Sequence, residues 1–411
     1  MADVDAPTLP ADLVDALHVH VLDTHERLAQ EPPTAAELAR AVARAAQGAL
    51  GVEPLRALAA AGRLREVADV RPFNLEMDLL NKCNLRCVMC MMSHRTMVEQ
   101  PLRRFPLERF EQLADEVFWH TNALSFTYGT EPLLHPQFDR FVEIASRYRI
   151  PRVYAVTNGQ LLTEAVARTA VQHGMHALTV SVDAARRETY ERIRVGGDWD
   201  RLMHNLRLLQ RVKREMGSDK PRLELAFVMM RSNIRELPQF VEMAHGLGAF
   251  AASAMHMVPF QQLGAAGESC SRIKETTNEM LRAARAAARR LGLTFPSPPL
   301  FGEQQDPSPG AAGVERFGLP VSGTTRAAGH CPFPWHFVAI DMRGDVIPCG
   351  WWQGSPAMGN VHAESFLAIW NNDAYRRLRA EHRQGRLRET CRRCPAAGVG
   401  SVDDAAAFQE R

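Results

Sequence analysis

Three cysteines stand close together in a chain that has only eight: Cys83, Cys87 and Cys90 lie within the stretch CNLRCVMC. A structural zinc site normally takes four protein ligands, often as two separated cysteine pairs. Iron–sulfur clusters instead take closely spaced thiolates from one loop. The triplet therefore favours a [4Fe–4S] cluster with one iron left open for a small molecule, and His94 is a weaker alternative for a fourth ligand.

A second group of cysteines lies near the end of the chain and comprises Cys331, Cys349, Cys391 and Cys394. Between the first two, FVAIDMRGDVIPC predicts a β-hairpin with its turn at Arg343-Gly344-Asp345. The last two form a CxxC pair that closes the site from a later segment. Spacing alone leaves structural zinc and an iron–sulfur cluster both open. Cys270 belongs to neither group, and a lone cysteine is usually a small packing residue.

Composition limits the class of protein. The chain has 411 residues, which suggests two or three domains, and 49 basic against 47 acidic residues. This balance gives no reason to expect a nucleic-acid or membrane partner. The first twenty residues resemble no signal peptide, and no apolar run approaches the roughly 20 residues that span a bilayer. We expect a soluble, cytoplasmic protein.

The elements that must position the first cysteines begin near residue 73. Six β-rich runs alternate with helical segments, and the runs are FNLEMDLL, ALSFTYG, RVYAVTNG, ALTVSVD, LELAFVMM and FAASAMHMV. Apolar runs that alternate with helices predict buried parallel strands, hence an open or closed α/β barrel. Polar and glycine residues follow each run, at the barrel face where chemistry is expected.

Other segments differ in composition. Residues 1–72 predict an N-terminal helical extension, with Thr34 to Glu37 as a capping box. The barrel is assigned to 73–297, a Pro-, Gly- and Ser-rich linker to 298–330, and a cluster-binding domain to 331–411. The helical extension is expected to pack on the barrel or to bind a partner or leader peptide.

The CxxxCxxC loop resembles that of the radical S-adenosylmethionine (SAM) superfamily, and four further segments support this resemblance. YGTEPLLHP resembles the family's Gly-Gly-Glu element, SVD its ribose and carboxylate contact, and ERIRVGGDWDRL its arginine-bearing helix start, while TNG also recurs. Thr130 stands where the second glycine usually lies, and Met89 where an aromatic residue is common. The cofactor-binding residues implied are Met89, Gly129, Thr130, Glu131, Asn158, Ser181, Asp183 and Arg194.

The resemblance implies a fold and cofactors. The expected fold is α/β, a partial (β/α)6 TIM-type barrel with the N-terminal helical extension and a C-terminal β-hairpin plus helix domain. The second cysteine group resembles a twitch or SPASM-type extension, and its four cysteines imply one fully ligated auxiliary [4Fe–4S] cluster. SAM and two [4Fe–4S] clusters are thus the predicted cofactors. A reduced flavodoxin or ferredoxin is the implied electron donor.

The leading functional hypothesis is an oxidoreductase. The implied 5′-deoxyadenosyl radical would remove hydrogen from a carbinol carbon, and the auxiliary cluster would accept the remaining electron. A sugar, cyclitol or aminoglycoside substrate follows by analogy with aminocyclitol dehydrogenases of antibiotic pathways. Candidate residues near the substrate are Glu224, Arg231 and His256, each with a packing role as the alternative.

Three rival functions stay open. A redox-neutral epimerase would use the thiol of Cys270 as hydrogen donor. A peptide-modifying maturase would act on a precursor peptide, although residues 1–72 predict no clear leader-binding domain. A non-enzymatic rival is a zinc-bound interaction protein.

Overall fold

The computed structural model describes most of the chain beyond residue 72. The described residues are 73–118, 121–148, 150–258, 260–302, 333–350, 352 and 355–392. The predicted N-terminal helices, most of the predicted linker, and both Cys331 and Cys394 lie outside them. The domain boundaries therefore stay predictions.

Eight strands form one open sheet in the described residues. The strands are β1 (Phe73–Met77), β2 (Thr121–Ser125), β3 (Arg152–Thr157), β4 (Ala177–Ser181), β5 (Arg222–Met229), β6 (Ala251–His256), β7 (Phe337–Ile340) and β8 (Val346–Ile347). Their order is β6-β5-β4-β3-β2-β1-β7-β8, and β1 to β6 pair in parallel with their neighbours. The predicted partial barrel is confirmed, with the sheet not closed.

Helices connect the parallel strands. They are α1 (Arg95–Val98), α2 (Leu107–Val117), α3 (Phe138–Ser146), α4 (Glu164–Gln172), α5 (Arg187–Ile193), α6 (Trp199–Glu215), α7 (Leu237–Gly246) and α8 (Lys274–Leu291). Short C-terminal helices follow: α9 (Phe333–His336), α10 (Phe366–Trp370), α11 (Asp373–Arg383) and α12 (Glu389–Arg392). Single 3₁₀ turns lie at Met91–Ser93, Pro132–Leu134, Ile234–Glu236, Gln261–Leu263, Ala265–Glu268 and Cys270–Ile273. None of the described helices combines the length and apolar character needed to cross a bilayer.

The two faces of β1 have different chemistry. Leu75 and Met77 are buried in the apolar core shared with the helices. Side chains alternate along a strand, so Asn74 and Glu76 project to the other face, and both are also buried. The inside of the curved sheet therefore contains polar groups, whereas its outside is apolar.

The C-terminal segment joins this sheet directly. The predicted hairpin is confirmed, since β7 and β8 pair antiparallel and Gly344 takes a positive φ of 83° in the turn. Beyond that expectation, β7 pairs in parallel with β1. Arg109 of α2 also donates through Nε to the Val361 carbonyl at 2.6 Å and pairs with Glu116 at 2.9 Å. This C-terminal auxiliary segment, described between residues 333 and 392, is thus bound to the barrel by both backbone and side-chain contacts.

Candidate functional site

The triplet loop follows β1 and is held by backbone hydrogen bonds. The Arg86 amide donates to the Val195 carbonyl at 2.8 Å, and the Val88 amide donates to the Ile193 carbonyl at 3.0 Å. Within the loop, the Cys90 amide donates to the Cys87 carbonyl at 3.1 Å. The loop conformation is therefore set by its neighbour across the site as well as by its own sequence.

The three thiols lie in an apolar setting. Cys87 is buried, and Cys83 and Cys90 are half-buried. All three pack in one group of apolar side chains with Leu85, Met89, Ile193, Met230 and Met257. Burial raises the pKa of Cys83 to about 11 and also raises that of Cys87, although the nearby Arg194 charge opposes the second shift. Buried thiolates need positive charge close by, and iron supplies it. The donor set therefore fits the implied iron–sulfur cluster, and the adaptable Met89 fits its predicted place beside it.

Glu131 is a buried carboxylate beside this loop. Its Oε1 accepts from the Thr157 hydroxyl at 2.7 Å and from the Leu133 amide at 3.2 Å, and its Oε2 accepts from the Asn158 amide at 2.7 Å. Burial raises its pKa to about 7, and these hydrogen bonds only partly oppose that shift. The carboxylate is thus fixed in position and ready to pair with an ammonium group.

Asn158 connects this carboxylate to the cysteine loop. Its Nδ2 donates to Asn84 Oδ1 at 2.8 Å and lies 3.8 Å from Cys83 Sγ. The next residue, Gly159, has a φ of 75°, and a Cβ there would stand 2.7 Å from Leu202 Cδ1. The TNG segment therefore requires glycine for close packing, while Asn158 faces the thiol.

Asp183 and Arg194 form a buried ion pair. Asp183 Oδ2 pairs with Arg194 Nη2, and Asp183 Oδ1 accepts from the Val228 amide at 2.7 Å. The backbone of Asp183 is in the left-handed region, with a φ of 64°. Burial disfavours the charged guanidinium, but the charges of Asp183 and Cys87 raise the pKa of Arg194 overall. Arg194 Nη1 in turn lies 3.6 Å from Cys87 Sγ. Asp183 therefore positions Arg194. A direct contact between Asp183 and the cofactor stays a prediction.

One expectation about Arg194 is wrong. The sequence resemblance predicted a helix start, but Arg194 lies immediately after α5, and α6 begins only beyond the cap residue Asp198. The glycines at 196 and 197 explain the break: Gly196 has a φ of 89°, and a Cβ on Gly197 would meet Tyr190 Oη at 2.8 Å. The chain therefore turns sharply and presents Arg194 at the end of a helix.

Asp78 was not among the residues predicted from the sequence. It is buried just after β1, and its Oδ1 accepts from the amides of Tyr128, Gly129 and Thr130 at 3.0, 2.9 and 3.2 Å. The Thr130 hydroxyl also donates to it at 2.8 Å. The hydrogen bond from the Thr130 hydroxyl, which a glycine could not make, explains why threonine stands in place of the second glycine. The sequence signal for Asp78 was its position two residues after Glu76 and four after Asn74, because alternate residues of a strand face the same side.

The remaining predicted residues lie in different places. Ser181 is half-buried at the carboxyl end of β4, on the cluster side. Glu224 lies near the amino end of β5, where it accepts from Thr179 Oγ1 at 2.8 Å and stands 3.5 Å from Arg152 Nη2. Arg231 is exposed, and its amide donates to the Glu268 carbonyl at 2.8 Å. A catalytic role for Glu224 or Arg231 stays a prediction that these positions do not favour.

His256 and Cys270 complete the candidates. His256 ends β6, and its ring centroid lies 5.1 Å from that of Phe301. Cys270 is buried in the main core against Thr277, outside the cluster around Met89, and burial raises its pKa to about 11. His256 therefore lies at the active end of the barrel, whereas Cys270 has the surroundings of a packing residue.

Two auxiliary cysteines are described, and both are half-buried. Cys349 follows β8 close to Tyr128, since a Cβ on the adjacent Gly350 would stand 4.0 Å from Tyr128 Cε2. Cys391 Sγ lies 3.5 Å from His382 Nε2. The Cys349 turn therefore approaches the segment that Asp78 anchors.

Comparison with known proteins gives two family matches. Residues 77–220 match the radical SAM superfamily, and residues 331–395 match the SPASM iron–sulfur cluster-binding domain. The predicted cofactors, SAM and [4Fe–4S] ligation with an auxiliary iron–sulfur centre, are confirmed by these matches.

Individual relatives are more distant. An AdoMet-dependent heme synthase of Methanosarcina barkeri is 24% identical over 340 residues, which cover 80% of this chain and 92% of the relative. A probable GTP 3',8-cyclase of Methanocaldococcus jannaschii is 28% identical over 43% of this chain and 56% of its own.

Among solved structures, SuiB of Streptococcus suis bound to its precursor peptide SuiA has a TM-score of 0.61 at 14% identity, over 95% of this chain and 84% of that one. This likeness is one of fold. Together, the thiol triplet, the sheet that carries it and the two family matches show that the chain contains a radical SAM domain and a C-terminal SPASM domain.

Proposed function

We propose that this radical SAM enzyme is an oxidoreductase that converts a carbinol of a sugar, cyclitol or aminoglycoside-type substrate to a ketone. One observation carries the proposal: the turn at Cys349 and Gly350 packs against Tyr128, which begins the YGTE segment. The Cys349 charge is also close enough to help burial raise the pKa of Tyr128. An electron acceptor adjacent to the SAM site is what a net oxidation requires.

The residues proposed to hold the cofactors are those of the two cysteine groups and the strand ends. Cys83, Cys87 and Cys90 would bind the first cluster, and Cys331, Cys349, Cys391 and Cys394 the auxiliary one. When bound, the first cluster and SAM supply a 5′-deoxyadenosyl radical that removes a hydrogen atom from the substrate. Glu131 would accept the SAM amino group, and Met89, Gly129, Asn158, Ser181 and Arg194 would line its site.

The inside of the barrel is also polar toward the amino ends of its strands. Inside the curved sheet, Arg152 pairs with Glu224 at 3.5 Å and its guanidinium lies 4.8 Å from the Tyr154 ring centroid. The Thr179 hydroxyl donates to Glu224 at 2.8 Å. A lumen with such hydrogen-bonding groups favours a hydroxyl-rich ligand over an apolar one. His256, at the carboxyl end of β6, is our candidate to take the hydroxyl proton.

Product mass tests the proposal. Anaerobically reconstituted protein with a reduced flavodoxin or ferredoxin should release 5′-deoxyadenosine from SAM. With aminocyclitol substrates, the product should lose two hydrogens and carry a carbonyl. An isomer of unchanged mass would contradict oxidation and support the epimerase.

The Cys270→Ala variant separates these two reactions. A dehydrogenase should keep its turnover, because the buried thiol takes no part in the reaction. An epimerase should lose product while 5′-deoxyadenosine still forms.

A step in heme synthesis is the second candidate. It is favoured by the heme synthase relative, which aligns over most of both chains. The polar lumen supports the first candidate instead. Turnover of a tetrapyrrole, with no turnover of any cyclitol, would reverse this preference.

A further inference from the structure

A histidine contacts an auxiliary cysteine from a neighbouring helix. His382 lies in α11 with 3% of its surface exposed, and its Nε2 is 3.5 Å from Cys391 Sγ of α12. This distance lies within hydrogen-bonding range for sulfur. The contact joins a buried histidine to a half-buried cysteine nine residues further along the chain.

Surrounding contacts hold both partners in place. Tyr375 and Leu378 of α11 are fully buried and fix the helix in the core. Arg388, just before α12, pairs with Glu381 of α11. The Arg388 guanidinium also lies 5.6 Å from the Trp352 ring centroid. The histidine therefore has little freedom to turn away from the sulfur.

The first cysteine group has a comparable contact. Arg194 Nη1 lies 3.6 Å from Cys87 Sγ, and Asp183 holds that arginine. An N–H donor aimed at a cluster thiolate stabilises the reduced, more negative state of the cluster, and such hydrogen bonds set reduction potentials. Among the described residues, each group thus has at least one side-chain nitrogen donor directed at one of its sulfurs.

We propose that His382 is a positioning residue of the auxiliary centre, whose Nε2–H donates to the Cys391 sulfur, orients it and raises the centre's reduction potential. The inference rests on the auxiliary cluster and is independent of the substrate proposed above. It assigns His382 no role as a ligand.

The test isolates the auxiliary centre in the full-length chain. In a background carrying Cys83→Ala, Cys87→Ala and Cys90→Ala, only the second group can hold iron. We compare His382→Phe, which lacks the donor, with His382→Gln, which keeps one. The exposed His245→Phe is the matched control. Iron content, the EPR signal of the reduced protein and the midpoint potential are measured.

We expect both His382 variants to keep their iron. The midpoint potential should fall in His382→Phe, and should stay near that of the background in His382→Gln and in the control. An unchanged potential in His382→Phe would overturn the proposal. Loss of iron in both folded variants would also overturn it, since His382 would then be a ligand.

Pulsed EPR of the unsubstituted His382 protein keeps the proposal testable if His382→Phe does not fold. An exchangeable proton coupled to the auxiliary cluster should disappear after transfer to D₂O. If no such proton is found, the donor does not exist.

Discussion

The two cysteine groups are built in opposite ways. Cys83, Cys87 and Cys90 come from one short loop that continues β1, and backbone bonds to Ile193 and Val195 complete it. Cys349 and Cys391 come from segments separated by a helical pair, and they approach the barrel only because β7 pairs with β1 and α10 packs on α2. One site is therefore mostly local, whereas the other depends on long-range contacts.

This difference has a functional consequence. A site held by its own loop and by the barrel can stay ordered when a distant contact is lost. A site assembled from separate segments depends on each contact that brings those segments together. A mutation that removes a contact of one centre should therefore leave iron binding at the other centre intact.

Removing one thiol of the local loop should have the largest effect. In Cys87→Ala the first cluster loses a ligand, so SAM cleavage should become undetectable and iron should fall by roughly half if each group holds one [4Fe–4S] cluster. Anaerobic iron analysis and a 5′-deoxyadenosine assay measure this. Cys270→Ala is the control and should keep both. Full loss of iron in Cys87→Ala would show that the two centres are not independent.

Asp78→Ala should have the next largest effect. The variant removes the acceptor for three amides and one hydroxyl, so the YGTE segment would lose its anchor. Because outer-shell partners typically matter 10- to 100-fold, we expect SAM cleavage to fall by about that factor with iron retained. Asp139→Asn, on the exposed face of α3, is the matched control. If Asp78→Ala bound and cleaved SAM as well as the unsubstituted protein does, the anchoring role of Asp78 would be contradicted.

The pH dependence of stability should reveal Glu131. Its pKa is raised from 4.5 to about 7 in the folded chain, so the folded state binds the proton more tightly than the unfolded state. This contribution is present below pH 4.5 and is lost as the pH rises through about 7. Between pH 4.5 and 8 the cluster-free protein should lose up to about 3 kcal/mol relative to Glu131→Gln. Denaturant titrations at both pH values measure this difference, and parallel curves would contradict it.

The smallest effect is expected at the contact between barrel and auxiliary segment. Arg109→Met removes the donor to the Val361 carbonyl, so the free energy of unfolding should fall by about 1–3 kcal/mol. Iron should be lost first from the auxiliary centre. Arg95→Met removes an exposed pair with Glu99 and should change stability by less than about 1 kcal/mol. Equal loss of iron from both centres in Arg109→Met would remove the distinction between them.

The local parts of the molecule follow from sequence patterns. All six barrel strands lie within or beside the predicted apolar runs, because alternation with helices and polar strand ends is a short-range signal. The hairpin around Gly344 and the triplet loop were predicted for the same reason. The chemistry of Cys83, Cys87 and Cys90 depends on their spacing, and spacing is written in the chain.

The strand–helix alternation and the thiol triplet can therefore be recognised without any structure. In contrast, three contacts depend on how the chain packs: Asp78 anchors the YGTE segment, Asp183 holds Arg194, and His382 contacts Cys391. The pairing of β7 with β1 depends on packing in the same way. Helix or strand periodicity does not bring the residues of any of these contacts together. Their proximity arises from packing and from the satisfaction of buried polar groups.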